Sequence, residues 1–192
     1  MKDGREAEKR EGSRSEHDRL LLLMKEGDRE AFRCLYEETA KSVYGYALSI
    51  LKNPQDAEEA MQDTYLAVWD QAGRYHSDGK PMAWIFTITK NLCYMRLRRQ
   101  MSQGGISLDE LKEQESGWEP GQLCEDIELA PEKHVLLEAL KSLKEEERSI
   151  ILLHDAGGMK HREIAELLDL PLATVLSKYH RAMKKLTEKV GR

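Results

Sequence analysis

Apolar residues recur along most of this chain at three- and four-residue steps, the spacing that lines one side of an α-helix. The pattern predicts a short helix over 18–26. A long one follows from a cap at Asp28 to about Lys52, with Ala31, Phe32, Leu35, Val43, Tyr46, Ala47 and Ile50 turned inward. Asn53-Pro54 ends it. The next helix, about 55–72, has Ala57, Met61, Thr64, Tyr65, Val68 and Ala72 on one stripe and Asp56, Glu59, Gln62, Asp63 and Asp70 on another. Beyond the loop at 73–79, a helix over about 81–100 shows Ile85, Ile88, Leu92 and Met95 as its core stripe, with Thr87, Asn91, Tyr94 and Arg98 across from it.

The segment MKHREIAELLDLPLATVLSKYHRAMKKL, residues 159–186, reads as a helix, a sharp turn and a second helix. Ile164, Ala165, Leu167 and Leu168 give the first helix an apolar side, and Asp169-Leu170-Pro171 breaks it, because proline disfavours helical geometry in the residue before it. Pro171 suits the opening turn of the second helix. There Val175, Tyr179, Ala182 and Leu186 form the buried stripe, opposite Thr174, Lys178, Arg181 and Lys185. Hydroxyls and cations on one helical face suit a DNA major groove. A surface helix with a basic, solvated face gives the same pattern, so this segment alone leaves both readings open.

The net charge of −5 looks unfavourable for a nucleic-acid binder until its distribution is examined. From Lys90 to Arg99 there are Lys90, Arg96, Arg98 and Arg99 and no carboxylate, and from Leu172 to Arg192 only Glu188 opposes the cations. Between these blocks, residues 103–131 carry Asp109, Glu110, Glu113, Glu115, Glu119, Glu125, Asp126 and Glu128 against Lys112, interrupted by glycines and prolines. This reads as a linker, extended or disordered. The expected fold is all-α: two small helical domains, 18–101 and 132–192, joined by a flexible acidic linker (102–131) and preceded by a disordered tail (1–17). The second domain contains the helix-turn-helix.

No apolar run reaches the roughly 20 residues that span a bilayer, and the polar start is no signal peptide, so a cytoplasmic address without membrane insertion is expected. Cys34, Cys93 and Cys124 are far apart and form no CxxC pair, which suggests neither disulfides nor zinc. His154, His161 and His180 have no acidic or cysteine partner at ligand spacing. The absence of a Gly-rich phosphate loop or a nucleophile signature speaks against a nucleotide-dependent enzyme, and no cofactor is expected. A stand-alone helix-turn-helix regulator accounts for the C-terminal segment but leaves the acidic and the aromatic-cationic helices without a purpose.

DAEEAMQDTYLAVWDQAGRY, residues 56–75, resembles the polymerase-docking helix of bacterial extracytoplasmic-function sigma factors. MAWIFTITKNLCYMRLRR, residues 82–99, resembles their promoter-melting helix, and IAELLDLPLATVLSKYHRAMKKL resembles their C-terminal recognition unit. The likeness covers about 18–101 and 132–190, in the family's order. It implies an alternative sigma factor, not an enzyme, that binds core RNA polymerase and directs promoter recognition, melting and transcription initiation. An inducing stress or envelope signal and an inhibitory anti-sigma factor are also implied.

Carried onto this sequence, the resemblance places polymerase contact on Asp56, Glu59, Gln62 and Asp63. Capture of the opened minus-ten strand falls to Tyr75, His76, Trp84, Asn91, Tyr94, Arg96, Arg98 and Arg99, aromatic groups alternating with cations as a single-strand platform requires. Duplex contact at the minus-thirty-five element falls to Thr174, Lys178, Arg181, Lys184 and Lys185. Four positions depart from the family pattern: Thr87 stands where arginine is common, Met95 where aspartate is, and Leu176 where lysine is. Lys160 replaces a capping serine, a loss of about 1 kcal/mol.

Overall fold

The structure is a computed structural model that describes residues 16–104 and 138–190. The expected tail as far as residue 15, and the acidic linker from residue 105 onward, lie outside the described residues. All regular structure within them is helical: α1 (Glu16–Lys25), α2 (Arg29–Leu51), α3 (Pro54–Gln71), a 3-10 turn (Ala72–Arg74) and α4 (Pro81–Gly104). A helical turn at 138–141 precedes α5 (Glu145–Ile151), which runs into a π-helical turn (Leu152–Ala156) before α6 (His161–Leu168) and α7 (Leu172–Val190).

The helix boundaries follow from local chemistry. The Asp28 carboxylate accepts the backbone N–H groups of Glu30 and Ala31 at 2.8 and 3.1 Å, satisfying two donors that α2 leaves open. At its other end Lys52 turns left-handed at φ 56° and donates its N–H to Leu48. Asn53 then caps α3 by accepting from the Asp56 N–H at 3.0 Å, with Pro54 in the first turn.

The predicted stripe of α3 is buried throughout, Ala57, Met61, Thr64, Tyr65 and Val68 facing α2 and α4, with Ala72 just beyond. In α4 the expected stripe needs correction. Met82, Ile85, Phe86, Thr89 and Cys93 are buried, Ile88 and Leu92 only partly, and Met95 is 38% exposed. Thr89 occupies the core because its hydroxyl bonds the Ile85 carbonyl at 3.0 Å, one turn back, so no polar atom is left stranded.

The two helical units pack directly on one another. The π-helical turn and α5 lie against α2, α6 lies against α4, and the buried side chains of both units form one continuous core. The contact is close enough to require a glycine: a Cβ on Gly157 would lie 2.6 Å from Phe86 Cε2 and 2.7 Å from the Leu153 carbonyl oxygen. Phe86 itself is fully buried and meets Tyr46 edge to face at 5.4 Å. Burying a side chain of this size contributes about 1.5–3 kcal/mol. Ser49 and Ser149 hydroxyls meet at 3.2 Å within the seam, and Lys52–Glu145 and Lys80–Glu166 pairs, each 3.2 Å, bridge its rim. Lys90 Nζ donates to the Leu167 carbonyl at 2.5 Å, satisfying an acceptor in the last turn of α6.

Candidate functional site

The acidic stripe of α3 faces the C-terminal half of α4. Arg96 Nη1 lies 2.8 Å from Glu59 and Nη2 2.6 Å from Asp63, while Gln100 donates to Asp56 at 2.9 Å. Glu59 and Asp63 side chains stay 49% and 47% exposed. Gln62 is exposed as well. Leu66, which the sequence reading passed over, continues this stripe and is 64% exposed. Its signal was available: an apolar residue three and four steps beyond Asp63 and Gln62 interrupts an otherwise polar face.

The loop before α4 is held by a buried aspartate. Asp18 of α1 accepts hydrogen bonds from Tyr75 and Ser77, and Tyr75 packs on Trp84 with ring centroids 5.0 Å apart. Tyr75 is therefore 3% exposed; burial, and then its bond to Asp18, push its hydroxyl above the ordinary tyrosine range. Its ring supports Trp84 from inside, whereas His76 is exposed. Along α4 the outward stripe is Trp84, Thr87, Asn91, Met95, Arg98 and Ser102, at helical spacing. Asn91, Met95, Arg98, Arg99 and Ser102 line a shallow groove of about 510 Å³. Tyr94 is 45% exposed beside it, its hydroxyl pushed up by partial burial and then by the charge of Glu145. Arg96 alone of the predicted strand-binding group turns to α3. Cys93 is buried, which pushes its thiol up to about 12 and leaves it inert at neutral pH.

In the helix-turn-helix, Asp169 adopts φ 55° and its N–H bonds the Ala165 carbonyl, so the turn closes without a glycine. The first helix has half a capping box. Glu163 accepts from the Lys160 N–H at 3.0 Å, while the lysine ammonium has no acceptor to return. On α7, Val175, Ala182 and Leu186 are buried and Leu176 is 37% exposed. The outward group divides. Lys178 pairs with Glu146, and Lys185 with Glu147 at 2.7 Å, both carboxylates in the first turn of α5. Burial works to raise the Glu147 carboxyl, but the Lys185 bond and charge outweigh it and hold that group below the usual carboxylate range. Thr174 is half-buried, and Arg181 and Lys184 are exposed.

Among the described residues no helix is long and apolar enough to cross a membrane, and no group of His, Cys, Asp and Glu has the arrangement to hold a metal ion. His154 and His161 stack on each other at 4.2 Å, with Tyr179 packed on both.

This order of faces coincides with known sequence families. Residues 35–103 match the family model described as Sigma-70 region 2, and residues 133–186 match Sigma-70, region 4. The ECF RNA polymerase sigma factor SigK of Mycobacterium sp. (strain KMS) is 30% identical over 182 residues, covering 91% of this chain and 90% of its own. SigK of Mycobacterium tuberculosis (strain ATCC 25177 / H37Ra) is 28% identical over 181 residues, 90% and 92% of the two chains. The fold resembles CnrH in its complex with the cytosolic domain of CnrY, with a TM-score of 0.56 at 20% identity, over 91% of this chain and 96% of that one. It also resembles Bartonella quintana RpoE bound to the anti-sigma factor NepR, with a TM-score of 0.59 at 21% identity, over 83% and 96%. With both sigma regions matched in order and a relative aligned over nearly its whole length, the chain belongs to the extracytoplasmic-function family of RNA polymerase sigma factors, which direct transcription initiation.

Proposed function

We propose that the acidic face of α3, with Asp56, Glu59, Gln62 and Asp63 around the exposed Leu66, docks on core RNA polymerase, and that the outward stripe of α4 with its loop holds the opened minus-ten strand. The α7 face of Thr174, Lys178, Arg181, Lys184 and Lys185 then reads the minus-thirty-five element as duplex. Residues 18–101 and 132–192 are the two working domains and 102–131 their tether. The chain acts by binding energy alone, without catalysis, in the cytoplasm. The observation that carries this reading is that α3 and α4, packed side by side, present an acidic face and an aromatic-cationic stripe, while a second cationic face sits on a separate unit.

The two units cannot serve both elements while packed together. Elements named for positions ten and thirty-five lie about 25 base pairs apart, roughly 85 Å at 3.4 Å per base pair. Lys90 of α4 and Leu167 of α6 are within hydrogen-bond distance. The seam must open before promoter binding, and a partner that keeps it closed inhibits. The structural neighbours bound to CnrY and NepR make an anti-sigma factor the fitting partner. Run-off transcription with purified core polymerase and genomic DNA tests the function: new start sites dependent on this chain are expected. A chain that neither binds core polymerase nor changes its start sites would overturn the proposal.

A further inference from the structure

Arg96 was grouped by sequence with the cations that meet the opened strand, but its surroundings indicate other work. Three carboxylates of α3 each give one oxygen to α4. Asp56 Oδ2 accepts from Gln100 Nε2 at 2.9 Å, Glu59 Oε2 from Arg96 Nη1 at 2.8 Å, and Asp63 Oδ2 from Arg96 Nη2 at 2.6 Å. Among the described residues, the second oxygen of each makes no hydrogen bond. The Arg96 side chain is only 20% exposed, while the two carboxylates it bridges remain about half exposed. One side of each acid is thus fixed from within the protein and the other left for a partner.

The helix geometry separates Arg96 from the strand-facing groove. Asn91, Met95, Arg98 and Ser102 share one stripe at steps of three and four, and with Arg99 they line the groove; Arg96 points to the neighbouring helix instead. Its partners also need it. Glu59 and Asp63 stand four residues apart on one helix, where like charges repel. A guanidinium presents donors in a rigid planar fork and can hold two acceptors at once, which a lysine ammonium does less well. Holding the carboxylates in place beforehand removes part of the ordering cost of docking.

We propose that Arg96, assisted by Gln100, is a positioning residue of the polymerase-docking face and not a DNA contact. This deepens the docking role assigned to α3 and rests on it. The α4 helix then has two edges with separate duties: Arg96 and Gln100 set the docking carboxylates, and Asn91, Arg98 and Arg99 meet nucleic acid.

The test uses the full chain with Arg96→Ala, Arg96→Lys, Gln100→Ala, Arg98→Ala and the pair Glu59→Gln/Asp63→Asn. Binding of a labelled chain to core polymerase is measured by anisotropy. Binding of the assembled enzyme to a forked duplex with a single-stranded minus-ten segment is measured from about 50 to 200 mM salt. Arg96→Ala is expected to weaken core binding about three- to tenfold and to leave the salt slope for forked DNA unchanged. Arg96→Lys recovers part of the loss, and Gln100→Ala gives a smaller one. Arg98→Ala does the reverse, sparing core binding and lowering the salt slope by about one.

Core binding that Arg96→Ala leaves intact, whether or not the DNA slope falls, overturns the proposal. If Arg96→Ala lowers the melting temperature, the Lys and Gln100 variants decide the matter, since each keeps the α3–α4 packing. Core binding that is indifferent to Glu59→Gln/Asp63→Asn as well removes the docking role of α3 itself. Sensitivity to that pair without sensitivity to Arg96 removes only the positioning role.

Discussion

Arg96 in the N-terminal unit and Lys185 in the C-terminal unit both come from helices with a proposed DNA role, and both end on carboxylates of a neighbouring helix. The carboxylates differ. Arg96 bridges Glu59 and Asp63, which keep about half their surface in water, whereas Lys185 meets Glu147, whose side chain is 6% exposed. A half-exposed acid remains solvated if its partner leaves; a buried one does not. Pairing alone therefore says little about whether a cation is available to a phosphate. The burial of its partner says much more.

The largest effect expected from this contrast is on stability. Lys185→Ala leaves Glu147 buried without its cation and is predicted to cost about 2 kcal/mol, a value held below that of a fully buried pair because Lys185 is itself 42% exposed. Arg96→Ala, by the same reasoning, costs under about 1 kcal/mol. Urea unfolding of the two variants compares them directly. Equal losses would erase the distinction between the units, and recovery in Lys185→Arg would confirm that charge rather than chain length matters.

Lys178 sharpens the comparison within one helix. Its partner Glu146 is 58% exposed, so the pair resembles the N-terminal ones although Glu146 is the residue next to Glu147 on α5. Lys178→Ala is predicted to change stability by less than about 0.5 kcal/mol. It should weaken duplex binding uniformly across sequences and lower the salt slope by about one. Salt-dependent binding to duplex promoter DNA checks this. A loss of stability matching that of Lys185→Ala, or an unchanged slope, counts against the assignment.

Much of this architecture was legible because helical periodicity is a local property. The stripe of α3 and the turn at Asp169–Pro171 depend on spacing within a few residues, and both came out as expected. The core stripe of α4 did not, since Thr89 hides a polar atom in its own helix and Met95 is apolar but faces outward. The candidate site was readable as residue types but not as partnerships. Helical spacing puts Arg98 on the outward stripe and Arg96 off it, but what Arg96 meets lies in α3, more than thirty residues earlier. The same holds for Tyr75, whose burial depends on Asp18 of α1, and for Lys90, whose acceptor lies in α6.

Proton uptake should also tell the units apart, with a smaller effect. In the N-terminal unit His17 Nε2 lies 3.1 Å from a carboxylate oxygen of Glu38 on α2. The C-terminal unit holds the opposite arrangement. His161, the first residue of α6, stacks on His154 from the π-helical turn and meets Tyr179 from α7, with Asp155 and His180 also facing it. Its Nε2 is buried and makes no hydrogen bond among the described residues. Burial, then the charge of His154, hold this imidazole below its ordinary value of 6.5, against a weaker opposing pull from Asp155. The unfolded chain accepts the proton more readily than the folded one. Stability is therefore full above 6.5 and falls as pH drops through that value towards the lowered folded one. Thermal melts of the full chain from about pH 8 to 5 should show the decline, and His161→Phe should flatten it. An unaltered decline in that variant would place the acid sensitivity elsewhere and leave the two units alike in their response to protons.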